Sequence, residues 1–101
     1  MFVGTCRLTL HLYSSQSLKD KRQVVQSLLS RLRNRFELAA AEVENQELRQ
    51  LATLGMAYVS SNGRHAEEVI EHALRYIEAS RPDCEITSAE VEVISLEEFG
   101  A

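Results

Sequence analysis

Glycine and proline are scarce in this chain of 101 residues, which has four glycines and one proline. Phosphate-binding P-loops and dinucleotide-binding fingerprints need several glycines at fixed spacing, and the sequence has no such run. Flexible linkers are also rich in these two residues, so none divides the chain. Because a second hydrophobic core would need more chain, we expect a single domain over residues 1–101.

Cysteine is almost as rare, since only Cys6 and Cys84 are present. Two thiols form neither a disulfide framework nor a complete zinc site. His65, Glu68 and His72 share one stripe of a predicted helix, but no fourth metal ligand can be named. We therefore expect no metal, no other cofactor and two cysteines that act as small apolar side chains.

Long hydrophobic runs are absent as well. No window approaches the roughly 18 uncharged apolar residues of a membrane-spanning helix. Arg7 interrupts the apolar N-terminal stretch and no basic segment precedes it, so that stretch does not resemble a signal peptide. We expect a cytosolic protein with no membrane partner. The 45% hydrophobic and 26% charged residues are typical of an ordinary globular chain.

Alternation of apolar and polar residues predicts the first and last of four β-strands, and two apolar runs that end in polar residues predict the second and third. The third carries no charge, which is typical of a central strand with both faces covered. The predicted strands span residues 3–13, 37–44, 51–59 and 84–96.

Apolar residues at spacings of three and four predict two helices, over residues 18–36 and 64–79. Ser17, three residues before Asp20, is a capping signal for the first helix. Ser61 or Asn62 caps the second, and Pro82 follows its end. The predicted buried stripe of the first helix is Leu18, Val24, Val25, Leu28, Leu29, Leu32 and Phe36.

The order strand, helix, strand, strand, helix, strand predicts an α+β, ferredoxin-like βαββαβ sandwich. Right-handed crossovers give a four-stranded antiparallel sheet of order 4-1-3-2 with both helices on one face. Cys6 and Cys84 would lie toward opposite ends of the sheet, too far apart to bond. Carboxylates on the two predicted edge strands discourage stray strand pairing; these are Glu42, Glu44, Glu85, Glu90 and Glu92.

Positive charge is concentrated in the first predicted helix, although the net charge is −4. Cations in its last turns complement the helix dipole, whereas those in its first turn oppose it. Cations beside free N–H groups at a helix N-terminus favour an anion, so we expect RNA or phosphate binding there. The alternative is that carboxylates of a neighbouring element neutralise these cations. The predicted anion-binding residues are Lys19, Lys21, Arg22, Arg31, Arg33 and Arg35.

The face of the sheet that the helices leave open is a second candidate surface. Both faces of the third strand are uncharged, so an apolar strip remains exposed whichever face meets the helices. Such strips mark contact surfaces, and we expect a homodimer or a protein partner there. Aromatic residues are too few for base stacking on the sheet. The predicted contact residues are Arg7, His11, Tyr13, Met56 and Tyr58.

No Ser-His-Asp or Cys-His arrangement is evident, so we expect no enzymatic activity. A hydrolase resembling acylphosphatase is a remote alternative, in which Arg22 would correspond to that enzyme's arginine at the first loop–helix junction and Asn62 to its asparagine after a central strand. The glycine-rich anion loop of that enzyme is missing, because residues 14–17 read Ser-Ser-Gln-Ser.

Several runs together resemble the YlxP-like family of small bacterial proteins. The most specific is SLKDKR at residues 17–22, and the others are LTLHL at 8–12, AEV at 41–43, LGMAYVS at 54–60 and VEV at 91–93. The resemblance implies a cytosolic, ferredoxin-like protein often encoded beside translation-initiation and ribosome-maturation factors. The family is described as a domain of unknown function and brings no catalytic residues. It favours a non-enzymatic module associated with RNA or the ribosome.

Overall fold

A computed structural model describes residues 1–97, and its elements follow the predicted order. Their bounds differ from the predicted ones by no more than two residues. The last four residues of the predicted domain, 98–101, lie outside the described residues. The elements are β1 (Phe2–Leu12), α1 (Leu18–Phe36), β2 (Ala39–Glu44), β3 (Leu51–Ser60), α2 (Gly63–Ser80) and β4 (Cys84–Ser95).

The strands form one sheet of order β2-β3-β1-β4 in which every neighbouring pair is antiparallel. This confirms the predicted ferredoxin-like topology, with β2 and β4 at the edges. Cys6 lies opposite Val91 and Cys84 lies opposite Leu12, so the two thiols sit far apart along β1. Both cysteines are free, as predicted.

A bulge interrupts each edge strand. In β2 the register shifts between Glu42 and Glu44, which leaves Val43 without a partner on β3. A bulge breaks the strict alternation of faces. As a result Glu42 points to the helix side, whereas Val43 and Glu44 both lie on the open side. The shift in β4 lies opposite Thr9 and Leu10.

The core lies between the sheet and the two helices. Alternate residues of β1 meet the apolar stripes of α1 and α2, because a strand repeats every two residues and a helix every 3.6. Gly4 marks the closest approach of β1 to α2, since a Cβ there would lie 2.9 Å from the carbonyl oxygen of Ala66. The principal core residues are Cys6, Leu8, Leu10, Leu12, Val25, Leu28, Leu32, Leu54, Met56, Ile70, Ala73 and Ile77.

Side chains cap both helices at their starts. Ser17 Oγ accepts a hydrogen bond from the N–H of Asp20, and Asn62 Oδ1 accepts one from the N–H of His65. The first cap is as predicted, and of the two candidates for the second the structure uses Asn62. Glu37 ends α1 in the left-handed conformation with φ of 55°. Within residues 1–97 no helix is long and apolar enough to cross a membrane.

Candidate functional site

Lys21 is fully buried, with 0% of its surface exposed, so its predicted role in anion binding is wrong. Its Nζ donates to the carbonyl oxygens of Asn45, Gln46 and Leu51 at 2.7, 3.2 and 3.1 Å. An ammonium group has three N–H donors, and these three acceptors occupy all of them. Lys21 therefore ties α1 to the loop between β2 and β3.

Glu42 is the anionic partner of this buried ammonium. Its Oε2 lies 2.9 Å from Lys21 Nζ, and its side chain is largely buried. Because the donors of Nζ already point at carbonyl oxygens, the contact is mainly electrostatic and Oε2 receives no well-aligned hydrogen bond within residues 1–97. Glu42 thus neutralises Lys21 from beneath α1 rather than protecting the sheet edge.

The start of α1 also lacks the open anion pocket that we expected. Ser17 occupies the N–H of Asp20, and Asp20 Oδ2 accepts from the N–H of Gln16 at 3.2 Å. A carboxylate therefore already lies at the positive end of the helix. Lys19 and Arg22 are exposed nearby, but they do not converge on a vacant cradle with Lys21.

The other five cations of α1 are exposed, and none forms an ion pair within residues 1–97. Two of them have uncharged partners. The guanidinium of Arg33 donates from Nε and Nη2 to the carbonyl oxygen of Ala40, and that of Arg35 lies 4.9 Å from the ring centroid of Tyr76. The five residues are Lys19, Arg22, Arg31, Arg33 and Arg35.

A shallow depression of about 420 Å³ lies between the end of α1 and the second half of α2. Phe36 and Tyr76 meet edge to face in it, with ring centroids 5.7 Å apart. From the described part of the chain its lining takes three basic side chains and no carboxylate. The lining residues are Arg35, Phe36, His72, Arg75, Tyr76 and Ala79.

The open face of the sheet carries charge of the opposite sign. At its centre Arg7 pairs with Glu90 and Glu44, each at 3.1 Å, and these contacts raise the pKa of the Arg7 guanidinium. Glu85 and Glu92 lie on the same face by register. Among residues 1–97 this face therefore has one arginine against four carboxylates, and it disfavours a polyanion.

Two of the predicted sheet-face residues are on the wrong side. Met56 is 3% exposed and belongs to the core. Tyr58 packs against the core, and its hydroxyl oxygen lies 3.4 Å from His65 Nε2 on α2. Gly55, Ala57 and Val59 occupy the open side of β3 instead. Both sets are apolar, so alternation alone could not decide which one meets the helices.

Arg7, His11 and Tyr13 do lie on the open side, and their contact role stays a prediction. The ring centroids of His11 and Tyr13 are 4.0 Å apart. The Tyr13 hydroxyl donates to Glu85 Oε1 at 3.1 Å, which raises the pKa of the phenol.

The half of the open face formed by β2 and β3 is apolar apart from Glu44 and Thr53. Small residues surround two exposed valines, Val43 and Val59, and the latter has 60% of its surface exposed. Ile94 is exposed on the same face at the far edge. The small residues are Ala39, Ala41, Gly55 and Ala57.

Neither cysteine is an activated nucleophile. Burial raises the pKa of the Cys6 thiol to about 11 and also raises that of Cys84. The described residues contain no cluster of histidine, cysteine and carboxylate side chains that could hold a metal ion. Arg22 is next to Lys21, whose Nζ donates to the carbonyl oxygen of Leu51 at the start of β3. Asn62 comes just after the other end of β3. The two residues matched to acylphosphatase are therefore not brought together.

Some of these contacts had a signal in the sequence. Position 21 falls within the apolar stripe of α1, at spacings of three and four from Leu18 and Val25, which marks Lys21 as inward-facing. Glu42 alternates with buried Ala40 and therefore faces the same way. The contact between Arg35 and Tyr76 had no such signal, because it depends on how the two helices cross.

Comparison with known proteins agrees with this structure. Over 90 residues the chain is 31% identical to the "Uncharacterized protein YlxP" of Bacillus subtilis (strain 168). The aligned region covers 89% of this chain and 97% of that protein. A de novo designed protein with a ferredoxin fold, solved by NMR, superposes on this chain with a TM-score of 0.58. The superposition covers the whole of this chain and 90% of the designed one. At 10% sequence identity this similarity supports the fold alone. Residues 3–91 match the family described as "Protein of unknown function (DUF503)", and the chain belongs to that family.

Proposed function

We propose that this protein is a non-enzymatic, cytosolic module that binds the backbone of RNA, in a ribosome-related step, through the exposed cations on the two flanks of α1. The observation that carries the proposal is the set of five exposed cations on one helix without an ion-pair partner in residues 1–97. Cations left without carboxylates on a protein of net charge −4 suit a polyanion.

Helix stability explains only part of this set. Arg33 and Arg35 lie in the last turn of α1, where the helix dipole favours positive charge. Lys19 lies in its first turn, where the dipole opposes a positive charge, and Arg22 lies in the next turn, beyond the reach of that effect. The dipole therefore favours neither cation, whereas a nearby phosphate would favour both.

Salt dependence tests the proposal. Structured ribosomal RNA is titrated at several salt concentrations with the wild type and with the triple variant Lys19→Gln, Arg22→Gln and Arg31→Gln. Each lost phosphate contact reduces the slope of log K against log salt by about one, so we expect a loss of up to about three. Lys21 is left intact because its replacement would perturb the fold.

The matched control removes two exposed cations outside α1, Arg49→Gln and Arg64→Gln. This variant should keep the wild-type slope. Absence of binding at low salt, or the same slope in the triple variant and the wild type, would overturn the proposal.

A second candidate is homodimerisation through the open face of the sheet, favoured by exposed Val43 and Val59. A second copy would cover the β2–β3 half, because the β1–β4 half would bring carboxylates together. Sedimentation equilibrium of Val59→Arg tests this, and Val91→Arg is the control, since Val91 is exposed on the other face. A monomeric wild type would exclude the dimer.

A further inference from the structure

We propose that the depression between α1 and α2 is a stacking site for one unpaired RNA base, with the Arg35 guanidinium as the stacking plane. This inference rests on the proposed function, because it names the form of RNA that the same helix binds. It adds a base contact to a surface that otherwise touches only phosphates.

The position of Arg35 is fixed by aromatic side chains. Its Cζ lies 4.9 Å from the ring centroid of Tyr76 and 6.0 Å from that of Phe36. Both rings pack against the hydrophobic core, so they form a rigid support. Arg35 itself is exposed, so a ligand can reach its guanidinium. Bases of single-stranded RNA stack on aromatic rings and on arginine planes.

The charge of the depression indicates the rest of the ligand. Arg35 and Arg75 form no ion pair within residues 1–97, and His72 lies beside them. The helix dipole does not account for Arg75, because α2 has no basic residue in its last turn. A nucleotide has a planar base that can stack on Arg35 and a phosphate that can contact the neighbouring cations. The volume of the depression, about 420 Å³, lies within the usual range of ligand sites.

The site predicts a preference between forms of RNA. Bases in a duplex are already stacked and paired, so they offer no free plane to Arg35. Single-stranded segments and loops do offer one. Duplex and single-stranded RNA should share the backbone contacts of α1, and only the latter should use the depression.

Fluorescence anisotropy with labelled RNA separates the two contacts. The probes are a short single-stranded RNA, the same strand with abasic sites, and a duplex of matched length. Arg35→Lys keeps the charge but loses the planar group, and we expect it to weaken binding of the single strand by about 5- to 100-fold. Duplex binding and the salt slope should stay unchanged. The control is Arg49→Lys, an exposed arginine outside α1 and α2, which should alter neither.

Two results would overturn the stacking site while the proposed function stands: equal binding of the normal and abasic strands, or an unchanged affinity in Arg35→Lys. A mononucleotide that binds as tightly as the oligonucleotide would overturn the assignment to RNA. Absence of binding to every RNA, including the duplex at low salt, would instead overturn the proposed function.

Discussion

Lys21 Nζ lies 2.9 Å from Glu42 Oε2 beneath α1 and donates to three backbone carbonyl oxygens of the segment from Asn45 to Leu51. One buried side chain therefore joins the first turn of α1, the edge strand β2 and the loop that follows it. Of the three cations in the run SLKDKR at residues 17–22, one, Lys21, therefore lies in the interior of the protein.

We expect Lys21→Met to lower the free energy of unfolding by about 3–5 kcal/mol, because it leaves a largely buried carboxylate and three carbonyl oxygens without the ammonium. Glu42→Gln should cost less, about 1–3 kcal/mol, since Lys21 keeps its carbonyl partners. Urea denaturation measures both. Lys19→Met, an exposed change in the same turn, should stay within about 0.5 kcal/mol of the wild type. Equal values for the two lysine variants would refute the structural role of Lys21.

We expect Gly4→Ala to destabilise the protein by about 1–3 kcal/mol, because the new Cβ would lie 2.9 Å from the backbone oxygen of Ala66 and 3.1 Å from Ile70 Cγ1. Gly55→Ala is the matched control. Its Cβ would meet Val43 Cγ1 at 3.0 Å, but Val43 is an exposed edge side chain that can turn away. Thermal melts should therefore separate the two variants, with Gly55→Ala near the wild type.

We expect the Cys6 thiol to resist alkylation at mildly alkaline pH, because it is buried and its pKa is raised to about 11. Cys84 is only partly buried and should react first, although burial raises its pKa too. Mass spectrometry of Cys6→Ala and Cys84→Ala assigns each rate. Faster modification of Cys6 than of Cys84 would contradict the packing around β1.

The same thiol gives a pH dependence of known sign. Its pKa is higher in the folded protein than the ordinary value of 9.0, so the folded state holds the proton more tightly. The Cys6 contribution is then constant below about pH 9 and is lost as the pH rises toward 11. Subtracting the alkaline unfolding curve of Cys6→Ala from that of the wild type should isolate this loss. A flat difference from pH 8 to 11 would exclude it.

We expect Glu37→Gly to stabilise the protein by roughly 1 kcal/mol, since Glu37 has a left-handed φ of 55° that glycine adopts without strain. The change also removes a carboxylate from the negative end of α1. Asn45→Gly is a useful contrast. Asn45 has a φ of 62°, but its side chain donates to Thr53 Oγ1 at 2.7 Å, so this glycine variant should lose stability. Chemical denaturation of the pair measures the two signs.

The fold followed from the sequence because its periodicities are regular. The bounds of α1 were predicted without error, since Ser17 caps it and the apolar stripe, interrupted only by Lys21, extends to Phe36. The uncharged third strand correctly indicated a central position. Such patterns are local, and the order in which the helices and strands follow one another along the chain is that of the ferredoxin-like topology.

The site was harder to predict because charge and exposure are separate properties. Lys21 is predicted on a flank of the helix with Arg31 and Arg35, whereas in the structure it is buried and donates to backbone carbonyl groups. Met56 and Tyr58 lie on a strand whose two faces are equally apolar. The contact between Arg35 and Tyr76 forms only because α1 and α2, which are far apart in sequence, pack side by side in the fold.

Arginines and a lysine lie along α1, whereas carboxylates surround Arg7 on the far side of the sheet. Opposite charge at these two places gives the protein a component of electric dipole moment between α1 and the open face. An approaching polyanion would turn the molecule before contact, so encounters from the α1 side would be favoured. The acidic side would then point outward, free to meet something else at the same time.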